Sequence, residues 1–392
     1  MMYKVQTKNA ISNKIHEYLT AENYTINNEE PIPDAILVRS ANLHEMSYNE
    51  NLLAIARAGA GTNNIDIDEC SKRGIIVFNT PGANANAVAE LVICGLMMSS
   101  RNISGGIAWA NSLINNGDDI KKQVEAGKGQ FSGPEVRGKT LGVIGLGAIG
   151  AIVANSASNG LGMNVMGYDP FISIEHAWSL SRSVKHCASV DEIYKHADYI
   201  TFHLPLNEQT MNMVNEVTID KMKPNVHILN FSRAELVSFP AMAAALETGR
   251  VASYITDFPT KEVLEMKNAI AIPHLGASTP ESEENCASMA AKQLRDYIEF
   301  GQIHNSVNFP DILLGRSEGT RVLIIHENEP GMVSAISAAI GARKININNM
   351  QNKSKKNLAI TVLEIDKLPD QRLLTELLAL PGVARVRCFN EE

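Results

Sequence analysis

LGVIGLGAIG, residues 141–150, joins an apolar run that reads as a strand to a turn with glycine at 145, 147 and 150, and then to a helical pattern. Gly145 permits the tight turn, Gly147 lets a pyrophosphate approach the backbone, and Gly150 lets helix and strand pack closely. The first amides of the helix, those of Ala148, Ile149 and Gly150, are then available to an anion. A glycine-rich turn alone is a weak signal, because chance turns share it. Its context strengthens it here: the next strand, NVMGYD (164–169), ends in Asp169, 19 residues after Gly150. An acid at that place suits the hydroxyls of an adenosine ribose. Pro170, Phe171 and Ile172 follow it with no Arg or Lys among them, which favours NAD over NADP.

The same strand-then-helix rhythm extends outward from this motif. YITFHL (199–204), HILNFS (227–232), SYITDF (253–258) and AIAIPH (269–274) are short, apolar and bounded by Gly, Pro, Asn or Asp. Such runs predict strands buried on both faces of a parallel sheet. Towards the N-terminus, AILVRS (35–40), LLAIARAG (52–59) and GIIVFNT (74–80) read as strands, and residues 85–103 as an apolar helix. Thr279 and Pro280 are placed to start a long helix, as its N-cap and first residue. A linker is expected over 308–319. The remainder reads βαββαβ, with helices beginning at Pro330 and near Asp370, the ferredoxin-like order.

Oxidation of a 2-hydroxy acid needs a base for the hydroxyl proton, an acid to orient that base and a cation for the carboxylate. Arg233 after HILNFS, Glu262 after SYITDF and His274 at the end of AIAIPH sit at strand ends, where such groups gather. Taken singly, each has a plainer explanation, as a surface ion pair, a solvated helix start or a structural imidazole. LNFSRAELV, TDFPTKE and PHLGAST, with RAGAGTNNID and FNTPGANANAVAELV, resemble the D-2-hydroxyacid dehydrogenase family over residues 35–310. The resemblance implies that Arg233 binds the substrate carboxylate, that His274 is the general acid/base and that Glu262 is its acid partner. It implies cofactor contacts at His203, Pro205, Thr210, Ser232, Arg233, Asp257, His274 and Gly276, and substrate contacts at Arg39, Ser40, Ala58, Gly59, Ala60 and Asn86. Ala234 stands where the family usually has Gly, Val263 follows Glu262 in place of Pro, and the stretch from Asp257 to His274 is short.

The C-terminal unit resembles an ACT regulatory domain. By that resemblance His326, Asn328 and Asn346 bind L-serine where two such domains meet, and Arg39 suits a phosphate. The implied architecture is α/β: a discontinuous substrate-binding domain (1–88 and 276–310), a Rossmann NAD-binding domain (89–275) with a doubly wound parallel sheet, and a ferredoxin-like ACT domain (318–392). The implied reaction is NAD-dependent oxidation of 3-phospho-D-glycerate, the first step towards L-serine, in a homodimer or homotetramer. Two alternatives remain open: a reductase of unphosphorylated 2-keto acids, and an NAD-sensing binding protein of the same fold.

Composition sets the outer bounds. The chain has 392 residues, 45% hydrophobic and 20% charged, with a net charge of −8. That balance argues against nucleic acid as a partner. Cys70, Cys94, Cys187, Cys286 and Cys388 lack C-x-x-C spacing, so neither a disulfide framework nor a metal site is expected. The N-terminal segment has no apolar signal-peptide core, no apolar run is long enough for a membrane, and a cytoplasmic protein is expected.

Overall fold

A computed structural model describes residues 2–115, 117–315 and 319–390. The chain divides into two compact units, Met1–Ala83 with Glu283–Glu392 and Asn84–Ser282. The first begins with strands β1 (Tyr3–Lys8), β2 (Tyr24–Asn27), β3 (Ala35–Val38) and β4 (Ala54–Arg57), helix α1 (Ile67–Lys72) and strand β5 (Ile76–Phe78). They form a parallel sheet in the order β2-β1-β3-β4-β5. Every residue of β3 is buried, as its unbroken AILV run requires. The sequence reading missed β1 and β2, which mix polar and apolar residues. Gln6 and Thr7 are buried in β1 because both bond to Asn28: Gln6 Nε2 donates to its backbone carbonyl, and Thr7 Oγ1 donates to its side-chain Oδ1.

The second unit opens with helices α2 (Ala85–Ser100), α3 (Ile103–Ser112) and α4 (Ile120–Gly127). It continues through β6 (Thr140–Ile144), α5 (Ala148–Asn155), β7 (Asn164–Tyr168), α6 (Ile174–Ser179), β8 (Val184–His186) and α7 (Val190–His196). The final part comprises β9 (Tyr199–Phe202), α8 (Glu216–Lys221), β10 (Val226–Asn230), α9 (Phe239–Glu247), β11 (Val251–Thr256), α10 (Lys261–Glu265) and β12 (Ala269–Ala271). The seven strands are parallel, in the order β12-β11-β10-β9-β6-β7-β8, so the chain reverses direction of travel at β6. One core lies on each face of this sheet. On one of them α2 meets Phe231, where a Cβ on Gly95 would stand 2.8 Å from the ring. Beneath β10, His227 stacks on Tyr199 at 4.6 Å and its Nδ1 bonds Ser253 Oγ at 2.8 Å. Burial pushes this imidazole down to about 4.

The chain then forms α11 (Pro280–Phe300), where Thr279 Oγ1 accepts from the amide of Ser282 as the N-cap. After it come β13 (Thr320–Glu327), α12 (Met332–Gly341), β14 (Ile347–Lys355), β15 (Leu358–Ile365), α13 (Gln371–Leu378) and β16 (Val383–Phe389). The sheet is antiparallel, β14-β15-β13-β16. Helix α12 starts two residues later than expected, because Gly331 takes a left-handed backbone (φ 89°) as its N-cap. Residues 316–318 of the expected linker, including the start expected for the last domain, lie outside the described residues. Before them in that stretch, Phe309 and Ile312 are fully buried, and Ile303 and Ile312 pair backbone to backbone.

This sheet is covered on both faces. Val322, Ile324 and Leu363 pack with Ile336 of α12 and Leu373 of α13. The alternate residues Leu323, Ile325, Ile360 and Val362 enter the core that holds Leu294, Tyr297 and Ile298 of α11. Arg387 donates from Nη1 to the carbonyl of Tyr297 (3.1 Å) and from Nη2 to that of Ile298 (2.8 Å), and Arg321 donates to that of Phe300 (2.9 Å). Three terminal carbonyls of α11 are thus satisfied by arginines of the sheet, where the helix dipole favours positive charge. No single helix among the described residues is long and apolar enough to cross a membrane.

Arg387→Ala removes two charge-assisted bonds and is expected to cost about 2–3 kcal/mol, read as a lower urea midpoint. His227 has a folded pKa below its unfolded value, so its contribution is complete above about pH 6.5 and is lost as pH falls towards 4. Unfolding free energy should drop by about 2 kcal/mol between pH 7 and pH 5 from this group, and His227→Gln should flatten that slope.

Candidate active site

The carboxyl edge of the seven-stranded sheet carries, in strand order, His274 after β12, Asp257 after β11, Arg233 after β10, His203 after β9, the glycine turn after β6 and Asp169 after β7. Gly145 has φ 91°, and a Cβ there would lie 2.3 Å from the carbonyl oxygen of His203. A Cβ on Gly150 would lie 1.9 Å from the Gly145 carbonyl. A Cβ on Gly147 would meet nothing within 4 Å. Two glycines are therefore demanded by the protein's own backbone, and the third borders open space at the start of α5. Asp169 accepts from the Leu146 amide (2.9 Å, Oδ2) and the Phe171 amide (2.9 Å, Oδ1), which sets its carboxylate beside the turn. An open glycine, helix-start amides and an acid beside them fit a dinucleotide.

His203 bonds Thr201 Oγ1 through Nε2 at 3.0 Å, and its Nδ1 is buried without a partner. Burial takes its pKa down to about 3, so the ring is neutral. Pro205 and Thr210 close one turn, Thr210 Oγ1 donating to the Pro205 carbonyl at 2.7 Å. Ser232 Oγ donates to the Phe202 carbonyl (2.6 Å), tying the end of β10 to β9, and Asn230 Nδ2 holds the Arg233 carbonyl (2.8 Å). The Arg233 side chain is exposed.

Asp257 is 2% exposed, and its Oδ1 is buried without a partner. Burial raises its pKa, against the opposing charges of His274 and Arg233. A Cβ on Gly276 would stand 3.5 Å from Asp257 Oδ2, so this glycine lets the chain after His274 pass the carboxylate. His274 is exposed, with the Phe258 ring against it at 5.1 Å, edge to face. Glu262 is exposed in the first turn of α10, where its own amide and the Thr260 hydroxyl lower its pKa. Glu262 makes no hydrogen bond or ion pair with His274 here, so the structure does not bring the expected acid and base together. The buried carboxylate at position 257 is the one whose titration responds to His274.

In the first unit, Arg39 and Ser40 follow β3, and Ala58, Gly59 and Ala60 follow the adjacent β4. Arg39 pairs with Glu283 at 2.6 Å, and Asn9 Oδ1 accepts from the amide of Ser40 at 3.0 Å. Arg57, which the sequence reading passed over, donates from Nε to the Arg39 carbonyl (3.0 Å). Its guanidinium lies 2.8 Å from where a Gly59 Cβ would be, so a second arginine borders this loop. Its signal was its position at the end of a strand beside AGAG. Asn86 belongs to the second unit, on α2, and bonds Glu90 at 2.8 Å.

His326 is buried in β13 with both ring nitrogens engaged, Nδ1 with the Glu327 carbonyl (2.7 Å) and Nε2 with Thr361 Oγ1 (2.8 Å). Burial lowers its pKa. Asn328 is exposed and lies two residues after it in the chain. Asn346 is at the other end of the sheet, since β14 begins opposite Ile365 and that residue opposite Thr320. Within one chain, therefore, Asn346 does not join the other two. Among the described residues, no cluster of three or more His, Cys, Asp or Glu is arranged to hold a metal.

Comparison with known proteins is consistent with this geometry. The family described as D-isomer specific 2-hydroxyacid dehydrogenase, NAD binding domain, matches residues 107–276, and the ACT domain family matches residues 320–382. D-3-phosphoglycerate dehydrogenase of Escherichia coli (strain K12) is 34% identical over 353 residues, covering 86% of this chain and 82% of its own. The enzyme of the same name from Dictyostelium discoideum is 30% identical, covering 87% and 82%. The NAD+-bound 3-phosphoglycerate dehydrogenase of Entamoeba histolytica superposes with a TM-score of 0.61 at 28% identity, over 79% of this chain and 99% of that one.

The glycines separate stability from binding. Gly147→Val is expected to keep the wild-type urea midpoint and to weaken NADH binding, followed by fluorescence, by more than about tenfold. Gly150→Ala is expected to lower the midpoint itself, because its methyl group meets a backbone carbonyl.

Proposed function

The chain belongs to the D-isomer-specific 2-hydroxyacid dehydrogenase family and is an NAD-dependent dehydrogenase, and from that premise we propose that it oxidises 3-phospho-D-glycerate to 3-phosphohydroxypyruvate. The observation that carries this reading is the single row of groups along the carboxyl edge of the second sheet. The helix-start amides at Ala148, Ile149 and Gly150 would hold the pyrophosphate of the dinucleotide, and Asp169 would take its ribose hydroxyls. His203, Pro205, Thr210, Ser232 and Gly276 would line the bound cofactor. The unpartnered Oδ1 of Asp257 suits the carboxamide N–H of the nicotinamide, a donor that would satisfy it.

NAD, when bound, accepts the hydride that leaves C2. The chain's own residues do the rest. Arg233 holds the substrate carboxylate in a two-pronged bond. His274 takes the proton of the C2 hydroxyl as the carbonyl forms. Glu262 is the acid partner by family pattern, and Asp257 adds a second negative charge to the base. The backbone at Ala58, Gly59 and Ala60, with Ser40 and Asn86, positions the substrate, and Arg39 takes its phosphate. The ACT domain supports feedback by L-serine through His326, Asn328 and Asn346, in a cytoplasmic homodimer or homotetramer that makes the first reaction towards serine.

The test follows NADH loss with 3-phosphohydroxypyruvate beside pyruvate, glyoxylate and hydroxypyruvate, with and without L-serine. The expected result is a kcat/KM for the phosphorylated acid at least about a hundredfold above the others, worth about 2.7 kcal/mol. His274→Asn should lower kcat by about 10²–10⁴, and Arg39→Ala should raise KM with little change in kcat. Turnover of the unphosphorylated acids alone overturns the substrate. NADH binding with no turnover of any acid points to a sensor.

A further inference from the structure

The loop after β4 runs Ala58, Gly59, Ala60, Gly61. Two of its carbonyls are held from behind by the residues that follow β5. The Thr80 amide donates to the Gly59 carbonyl at 3.1 Å, and Asn79 Nδ2 donates to the Ala60 carbonyl at 2.6 Å. These carbonyls belong to consecutive peptide units, yet both reach donors in one dipeptide. Gly59, at φ 153°, takes the chain out of strand geometry there.

A planar trans peptide sets its N–H opposite its C=O. With both carbonyls drawn towards Asn79 and Thr80, the amides of Ala60 and Gly61 point the other way. Neither amide has an acceptor among the described residues. Two successive N–H groups turned to one side make a concave seat for an anion. The Arg57 guanidinium borders the same loop, 2.8 Å from where a Gly59 Cβ would be and 3.4 Å from where a Gly61 Cβ would be.

Asn79 is itself held at both backbone groups. Its amide donates to the Asn305 carbonyl at 3.5 Å, and its carbonyl accepts from Gln293 Nε2 at 3.1 Å. Gln293 lies on α11 and is 6% exposed, among Ala290, Ala291 and Leu294, which are fully buried. Packing alone would call for an apolar side chain at that place. The Gln293 Oε1 is buried without a partner, a cost that an apolar residue would not carry. What glutamine supplies is one donor for the chain behind the loop. Thr80 is fully buried as well, so water does not compete for the clamp from that side.

We propose that Asn79 is a positioning residue for the substrate, with Gln293 as its backing. By holding the Ala60 carbonyl to the exit of β5, Asn79 presents the Ala60 and Gly61 amides to the carboxylate of the 2-hydroxy acid. The proposal rests on the reading above that this loop meets the substrate. Asn79 touches no reacting atom, so its loss should appear in KM rather than in kcat.

The test is steady-state reduction of the 2-keto acid that the wild type turns over best, with Asn79→Asp and Gln293→Met beside it. Aspartate matches asparagine in size, but its carboxylate has no N–H for the Ala60 carbonyl. Methionine keeps the bulk of Gln293 and removes its donor. Thermal unfolding establishes which variants fold, and if Asn79→Asp does not, Gln293→Met carries the test. KM is expected to rise more than about tenfold in Asn79→Asp and more than about threefold in Gln293→Met, with kcat within about threefold and NADH affinity unchanged. A KM near the wild-type value in the folded variants overturns the assignment. So does a fall in kcat and NADH affinity alongside the rise in KM, which would mark a general loosening of the fold. Because the wild type chooses the acid, a preference for an unphosphorylated one overturns the phosphoglycerate reading alone.

Discussion

The second unit depends on how closely α5 departs from β6. The Gly145 carbonyl occupies the space a side chain at 150 would need, and the His203 carbonyl occupies the space a side chain at 145 would need. Helix, central strand and neighbouring strand thus meet at van der Waals limits that only glycine satisfies. Because that contact fixes where α5 begins, its unbonded amides point out over the carboxyl edge. β7 and β9 flank β6, so Asp169 and His203 arrive on either side. The Ser232 hydroxyl, bonded to the end of β9, passes the alignment to β10 and to Arg233.

Where a strand is buried on both faces, its sequence has little freedom, and β3, β6, β9, β10 and β11 were legible for that reason. β1 and β2 were not. Their polar residues are paid for by Asn28, a partner that no local pattern reveals. Long-range burial also hid the character of residues 308–315, where Pro and Gly suggest a linker, but Phe309 and Ile312 are core. At the site, the strand-end positions of Arg233 and His274 could be read from the alternation of elements. The separation of Glu262 from His274 could not, because it follows from the Thr260 cap that starts α10. Arg57 escaped because its reach over Gly59 is a matter of side-chain direction.

Local charge, not the net charge of −8, sets the electrostatics of the carboxyl edge of the seven-stranded sheet. Along the carboxyl edge a cation and an imidazole flank the buried carboxylate of Asp257, and each opposes the cost of its desolvation. His203, after β9, and His227, near the start of β10, are held neutral by burial alone or nearly so. One sheet therefore keeps some imidazoles out of titration and leaves another, His274, exposed.

The arginines that close the end of α11 bear on how this chain can be divided. With a hinged regulatory module, a cut between the parts leaves two soluble halves. Here a cut after residue 315 would strip Leu294, Tyr297 and Ile298 of their cover and leave the carbonyls of a long helix without donors. The antiparallel sheet is a wall of the first unit rather than cargo attached to it. Exchanging it between relatives would therefore require the surface of α11 to travel with it.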